Sequence, residues 1–254
     1  MFADSLQVQR DIAWIQQSSD IINQHSSSIV PSKFWTSFSF ERYPAYEGGH
    51  RIGFYYQWLI NQCLQQSETY HLIAEELQVE RDKRTLGAVD FVVENPEGKL
   101  EHWEVAIKFY LAFEGEWRGP NAKDTLAKKY QKMTDHQLML SDTEEYQNQY
   151  SQYPIEKRRL LVQGRLYINP FLTPETLPSP PTVQMESVSG FWCWPSQLPK
   201  DVKFFELTRA QWMEAPPLDE LPSYHLPTPL TRAVHLIDES RNRWFVVPES
   251  WPSL

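Results

Sequence analysis

Asp90, Glu104 and Lys108 are the residues of this chain whose types and spacing suit chemistry. Asp90 interrupts the apolar run Leu86–Val93, and Glu104 and Lys108 interrupt the run Trp103–Leu111. A half-buried strand tolerates an ionised group badly unless something pairs with it. Two acids and a lysine gathered on adjacent strands can hold a divalent metal beside a phosphate. Mg²⁺ takes oxygen ligands and keeps several waters, so two carboxylates and a backbone carbonyl suffice. The chemistry such a set permits is metal-assisted phosphodiester hydrolysis, with Lys108 activating the nucleophile or offsetting charge that builds on the phosphate. The plainer alternative makes Asp90 a loop cap and Glu104–Lys108 a solvated ion pair. With three such groups on one hairpin, the two readings weigh about evenly.

The hairpin at 85–112 must position them. Asn95-Pro96-Glu97-Gly98 is turn chemistry: proline fixes one φ and glycine permits a positive one. A five-residue turn centred there sets Asp90 opposite Glu104. Two like charges facing each other across a sheet repel, and a metal ion or a shared proton removes that penalty. Strand alternation turns His102, Glu104, Ala106 and Lys108 one way, and Trp103, Val105, Ile107 and Phe109 the other, onto the core.

Around the hairpin, the pattern predicts helices at 5–17, about 50–66 and about 121–140, with strands at 71–79, 85–94, 100–112 and 159–168. The order is helix, three strands, helix, strand. Asn121 is the expected N-cap of the later helix, with Leu126, Tyr130, Met133 and Leu140 on one face and Gln137 near its end. Residues 172–182 and 214–230 are proline-rich connectors. Short aromatic strands are expected at 190–194, 203–207, 233–238 and 243–247, the last two forming a hairpin. The division that follows is an N-terminal helix and wrapping segment at 1–48, an α/β core at 49–170, and a Pro/Trp-rich extension at 171–254 packed on it.

With 254 residues, 41 % hydrophobic and 22 % charged, the chain has the makings of a full core. A net charge of −9 argues against a general nucleic-acid-coating protein, without excluding a local basic groove. Cys63 and Cys193 are far apart and lack metal-ligand spacing, so free thiols in a reducing compartment are expected. There is no secretory leader pattern and no apolar stretch long enough for a membrane span, so a cytoplasmic protein is expected. The phosphate-binding, dinucleotide, nucleophile-elbow, zinc-peptidase and calcium-loop motifs are all missing.

The element order, with an acid on the second strand and acid plus lysine on the third, resembles the PD-(D/E)XK nuclease superfamily. More closely, RTLGAVDFVV, HWEVAIKFYL, GPNAKD and DHQLMLS resemble an uncharacterised bacterial family of unknown function assigned to that superfamily, over roughly residues 45–215. The resemblance implies a restriction-endonuclease-like core, with Asp90 and Glu104 as ligands of Mg²⁺ or Mn²⁺ and Lys108 as the catalytic lysine. Two departures stand out. The superfamily usually sets acid and lysine two residues apart, whereas Glu104 and Lys108 are four apart, with Ala106 where the acid is expected. At ~3.3 Å per residue their Cα atoms lie about 13 Å apart. A glutamate is also expected near Gly53, where a glycine inside a helix costs about 1 kcal/mol against alanine.

Residues 118–133 hold Arg118, Lys123, Lys128, Lys129 and Lys132 against the single acid Asp124, an excess of four positive charges on an acidic chain. Arg118, Lys123 and Lys128 are the expected contacts to a phosphate backbone, and a solvated helix face is the alternative. Gln163 either lines the cleft or makes core hydrogen bonds. The tryptophans at 192, 194, 212, 244 and 251 suit base stacking, although core packing is their commoner use. The function expected is a metal-dependent nuclease or nucleic-acid-processing protein. The alternative is an inactive nuclease-like fold that binds nucleic acid or protein.

Overall fold

The computed structural model describes residues 2–22, 28–172 and 183–253, so most of the first proline-rich connector lies outside the described residues. The protein is a mixed α/β structure built on a nine-stranded sheet. Helix α1 (Ser5–Gln17) starts at Asp4, whose carboxylate accepts the Gln7 N–H, and buries Val8, Ile12 and Ile15. Helix α2 (Ile52–Gln65) buries Tyr55, Tyr56, Leu59, Ile60, Cys63 and Leu64, enough apolar surface to seat it against the sheet. Strands β1 (His71–Arg81), β2 (Arg84–Glu94) and β3 (Leu100–Phe113) form an antiparallel meander, and the short β4 (Glu116–Arg118) folds back on β3.

The chain then crosses over through α3 (Leu126–Lys132) and α4 (Glu144–Gln149) to β5 (Lys157–Ile168), parallel to β3. Strands β6 (Val188–Cys193), β7 (Phe204–Glu206), β8 (Val234–Asp238) and β9 (Arg243–Val246) extend the same sheet, in the order β1-β2-β3-β5-β6-β9-β8-β7. Both faces are covered, as a largely parallel centre requires. Trp103, Ile107 and Phe109 pack in one core cluster with α1 and α2, while Tyr110, Leu160 and Val162 pack in another with Leu126 of α3. The strand face that carries Glu104 and Lys108 is therefore roofed rather than open, contrary to a simple core-in, charge-out alternation.

The expected helix over 121–140 is broken into pieces. Residues 119–124 close a loop in which Gly119 N–H donates to Asp124 O, and Ala122 has φ +58°, a conformation no helix interior allows. Thr125, not Asn121, caps α3, its hydroxyl accepting the Lys128 N–H. After Lys132 the helix widens into a π turn, Met133–Gln137. Leu140 belongs to a separate cluster with Val79, Val89 and Tyr146. Helix α4 escaped the periodicity reading because it is short, although Thr143 followed by Glu144 and Glu145 is a legible cap.

At the base of the hairpin Glu101 is fully buried and accepts from Asn95, from the Trp103 indole and from both Arg159 Nε and Nη2, at 2.8–3.0 Å. Where β3 meets β5, Gly164 pairs with Lys108 so closely that a Cβ there would lie 1.7 Å from the Lys108 carbonyl oxygen. Gly164 also has φ +152°. Only glycine fits. Gly164→Ala is expected to lower stability by at least about 2 kcal/mol, read as the shift in urea unfolding midpoint, because neither backbone can move away without breaking the ladder. An unchanged midpoint would refute this close approach.

Candidate functional site

The expected pairing of Asp90 with Glu104 follows from the register. Phe91 pairs with Trp103, Val92 with His102, Val93 with Glu101 and Glu94 with Leu100, and the next facing pair along is Asp90 and Glu104. There the strands part, and side chains take over from the ladder. The Val105 N–H donates to Asp90 Oδ2 at 2.9 Å, and the Asp90 N–H donates to Glu104 Oε1 at 3.4 Å. Each carboxylate thus holds the other strand's backbone.

Glu104 is fully buried, whereas Asp90 is part-buried and lines a cavity of about 440 Å³. Gln137, delivered by the π turn, lines the same cavity and donates to Glu104 Oε2 at 2.8 Å. His102 Nε2 lies 2.9 Å from Glu104 Oε1, and its Nδ1 lies 3.0 Å from Ser141 Oγ. Burial, with Arg158 adding to it, lowers the His102 pKa to about 3, so its contact with Glu104 is a neutral hydrogen bond rather than an ion pair. Among the described residues no lysine or arginine forms an ion pair with Asp90 or Glu104, in contrast to Glu101 and its Arg159. Burial first, and the nearby Glu104 second, push Asp90 well above the carboxylate range, and burial raises Glu104 to about 8.

Lys108 lines that cavity too, and also a neighbouring one. Burial lowers its pKa to about 8, with Lys129 adding to the fall and Asp124 opposing it. Among the described residues it makes no hydrogen bond or ion pair with either carboxylate. Asp90 and Lys108 line one cavity, and Glu104 lies buried behind Asp90, hydrogen-bonded to its backbone.

The remaining expected residues divide. Lys123 lines the neighbouring cavity. Lys128 is exposed and lines neither of these two cavities, whereas Lys129, one residue on, lines the first. Arg118 sits in β4 and pairs with Glu116 at 2.9 Å, so its charge is compensated away from the carboxylates. Gln163 is a core residue: fully buried, it donates to Ile15 O and Ser18 O and accepts from the Tyr56 hydroxyl. Of the five singled-out tryptophans, Trp192, Trp244 and Trp251 are buried, and only Trp212 lines either of these two cavities. Gly53 lies in the first turn of α2 rather than mid-helix, faces open space and lines both cavities, as does Arg51. Arg51, His102 and Ser141 carried no legible signal as site residues, apart from the His-x-Glu alternation that turns His102 toward Glu104.

Asp90 and Glu104 carry the kind of oxygen donor that a hard divalent cation takes. Asp90 Oδ1 accepts no hydrogen bond from the described residues, and Glu104 Oε2 accepts only one. Among those residues no cluster of three or more His, Cys, Asp or Glu could share an ion, so two carboxylates are the acidic share and water would complete the shell.

This is a mixed α/β protein with a paired-carboxylate cleft. A family model described as a domain of unknown function (DUF1853) matches residues 10–242, and the chain belongs to that family. No curated protein and no solved structure matches it. No described helix is long and apolar enough to cross a membrane.

The raised carboxylates have a readable consequence for stability. The buried histidines, His102 and His235, have lowered pKa values and finish their contribution by about pH 6.5, their unfolded value. Above that, Asp90 and Glu104, with Asp11 and Asp20 raised to about 7 by burial, keep protons in the folded state that the unfolded chain has lost. Stability must then fall as pH rises toward about 8. The metal-free melting temperature is expected to drop over this window, and to drop less in Glu104→Gln. A flat or rising profile would show that the pair is already compensated.

Proposed function

We propose that the chain is a metal-dependent phosphodiesterase acting on nucleic acid, with a restriction-endonuclease-like core over residues 49–170 carrying the extension at 171–254. On this reading its family is a bacterial, cytoplasmic branch of the PD-(D/E)XK superfamily. The observation that carries the proposal is the facing pair Asp90 and Glu104: no described cation pairs with them, each is tied to the other's strand, and Asp90 opens on a cavity shared with Lys108. A buried carboxylate pair without a counterion is costly as a structural device and useful as a ligand set.

Asp90 and Glu104 would hold Mg²⁺ or Mn²⁺, which supplies Lewis-acid activation of the phosphate and a more acidic water. Glu104 is oriented by His102 and Gln137, so its carboxylate is fixed before any ligand arrives. Lys108, with a pKa near 8, takes a proton from the attacking water when neutral and balances phosphate charge when protonated. Lys129 and Arg51 add positive charge at the cavity wall for the backbone on either side.

One observation favours the second reading, a fold that keeps the shape as a binding module. Both Glu104 oxygens already accept hydrogen bonds, and Glu104 itself does not line the cavity. Calorimetric titration with Mn²⁺ separates the two. The enzyme reading expects binding that Asp90→Asn removes, with cleavage of DNA or RNA that the same change abolishes while the melting temperature holds. Lys108→Met is expected to lower the rate by about a hundredfold or more, with metal binding kept. No Mn²⁺ binding by the unaltered protein would leave the module.

A further inference from the structure

The neighbouring cavity, of about 510 Å³, shares Arg51, Gly53, Ile107 and Lys108 with the carboxylate cavity, so the two adjoin. Its lining carries Arg51, Lys108, Lys123, Arg209 and Arg232 against one acid, Asp124, whose carboxylate accepts the Tyr110 hydroxyl at 3.2 Å. Among the described residues none of these five cations makes an ion pair. On a chain of net charge −9 such an uncompensated group is out of place unless an anion fills it. Behind it stand Phe109, Trp212 and Phe245, with Trp212 edge-on to both rings at 5.2 Å. The Trp212 indole N–H is buried without a hydrogen-bond partner.

Phosphate-seeking cations beside aromatic rings, one step from a candidate hydrolytic site, describe a receptacle for a nucleotide. We propose that this cavity receives the nucleotide adjoining the scissile phosphate, base toward the aromatic rings and phosphate among the arginines, and that the substrate is therefore single-stranded nucleic acid. The proposal rests on the phosphodiesterase reading for which phosphate is cut, but not for the binding itself. The concavity decides the strand state. A base enters a pocket of this kind only after leaving its stack, which costs a duplex its pairing and costs a single strand little. Asn121 and Thr231 add polar groups to the lining, where a base edge would need them.

The test is equilibrium binding, by fluorescence anisotropy in EDTA, of a labelled single-stranded DNA of about twelve nucleotides, the same sequence as RNA, and the DNA duplex. One or both single strands are expected to bind at least about tenfold more tightly than the duplex. Arg209→Ala/Arg232→Ala, at two exposed positions, is expected to weaken single-strand binding about tenfold or more while leaving the melting temperature unchanged. Duplex binding as tight as single-strand binding, or an unaltered affinity in the double variant, overturns the proposal. The two readings fail separately. Single-strand preference without Mn²⁺-dependent cleavage removes the hydrolysis and keeps the pocket; cleavage of duplex without that preference does the reverse.

Discussion

The structure turns on one exchange of hydrogen bonds. Where β2 and β3 part, backbone N–H groups that would have met carbonyls meet carboxylates instead, Val105 on Asp90 and Asp90 on Glu104. A buried amide must find an acceptor, and a carboxyl oxygen supplies one where the partner strand's carbonyl has moved away. The cost is that two acids now face each other in a setting that disfavours their charge. Eleven residues of β5 paired in parallel with β3 hold the strand in place at this point. The meander cannot slip to separate the acids, because the hairpin turn is anchored by Glu101 on Arg159.

That anchor is the natural comparison within the same strand. Glu101 is buried as deeply as Glu104, three residues away, and is satisfied by a two-pronged arginine, an indole and an amide. Glu104 receives an imidazole held neutral and an amide. The chain can therefore provide a cation for a buried acid on β3, and does so for the structural one. At the other it provides neutral partners that orient a carboxylate without neutralising it. Burying two acids without a cation raises their pKa values and costs stability as they ionise, so the pair stands out as a place where local stability has been given up.

What the sequence revealed and what it hid follow from the range of the forces involved. The Asp90–Glu104 facing pair was legible because a turn of defined chemistry sets register by counting, and strand alternation preserves it. The extent of α1 and α2 was legible from apolar spacing. The helix after the hairpin was not, since the positive φ of Ala122 and the π turn are settled by tertiary closure around Asp124 and by Glu104 reaching for Gln137. The same limit explains the basic residues. Composition marked the segment 118–133 as positive, but only the fold decides that Lys129 faces the cavity and Lys128 solvent. Arg209 and Arg232, far along the chain, reach the neighbouring cavity only through the strands that extend the sheet.

Lys108 gains a different meaning from its setting. Spaced two residues from an acid, a lysine addresses the same phosphate oxygen as the metal beside it. Spaced four residues away, Lys108 responds to Lys129 and Asp124 and stands where the two cavities meet. Under the proposed function, that is the position of a strand passing from one cavity to the other. The close approach of Gly164 to the Lys108 carbonyl fixes the base of that side chain. Ala106, small and between Glu104 and Lys108 on the strand, lines the same cavity as Lys108. Under the proposed function, the widened spacing and the second, cationic cavity would be parts of one arrangement: a site stretched along β3 to hold two consecutive units of a chain rather than a single phosphate.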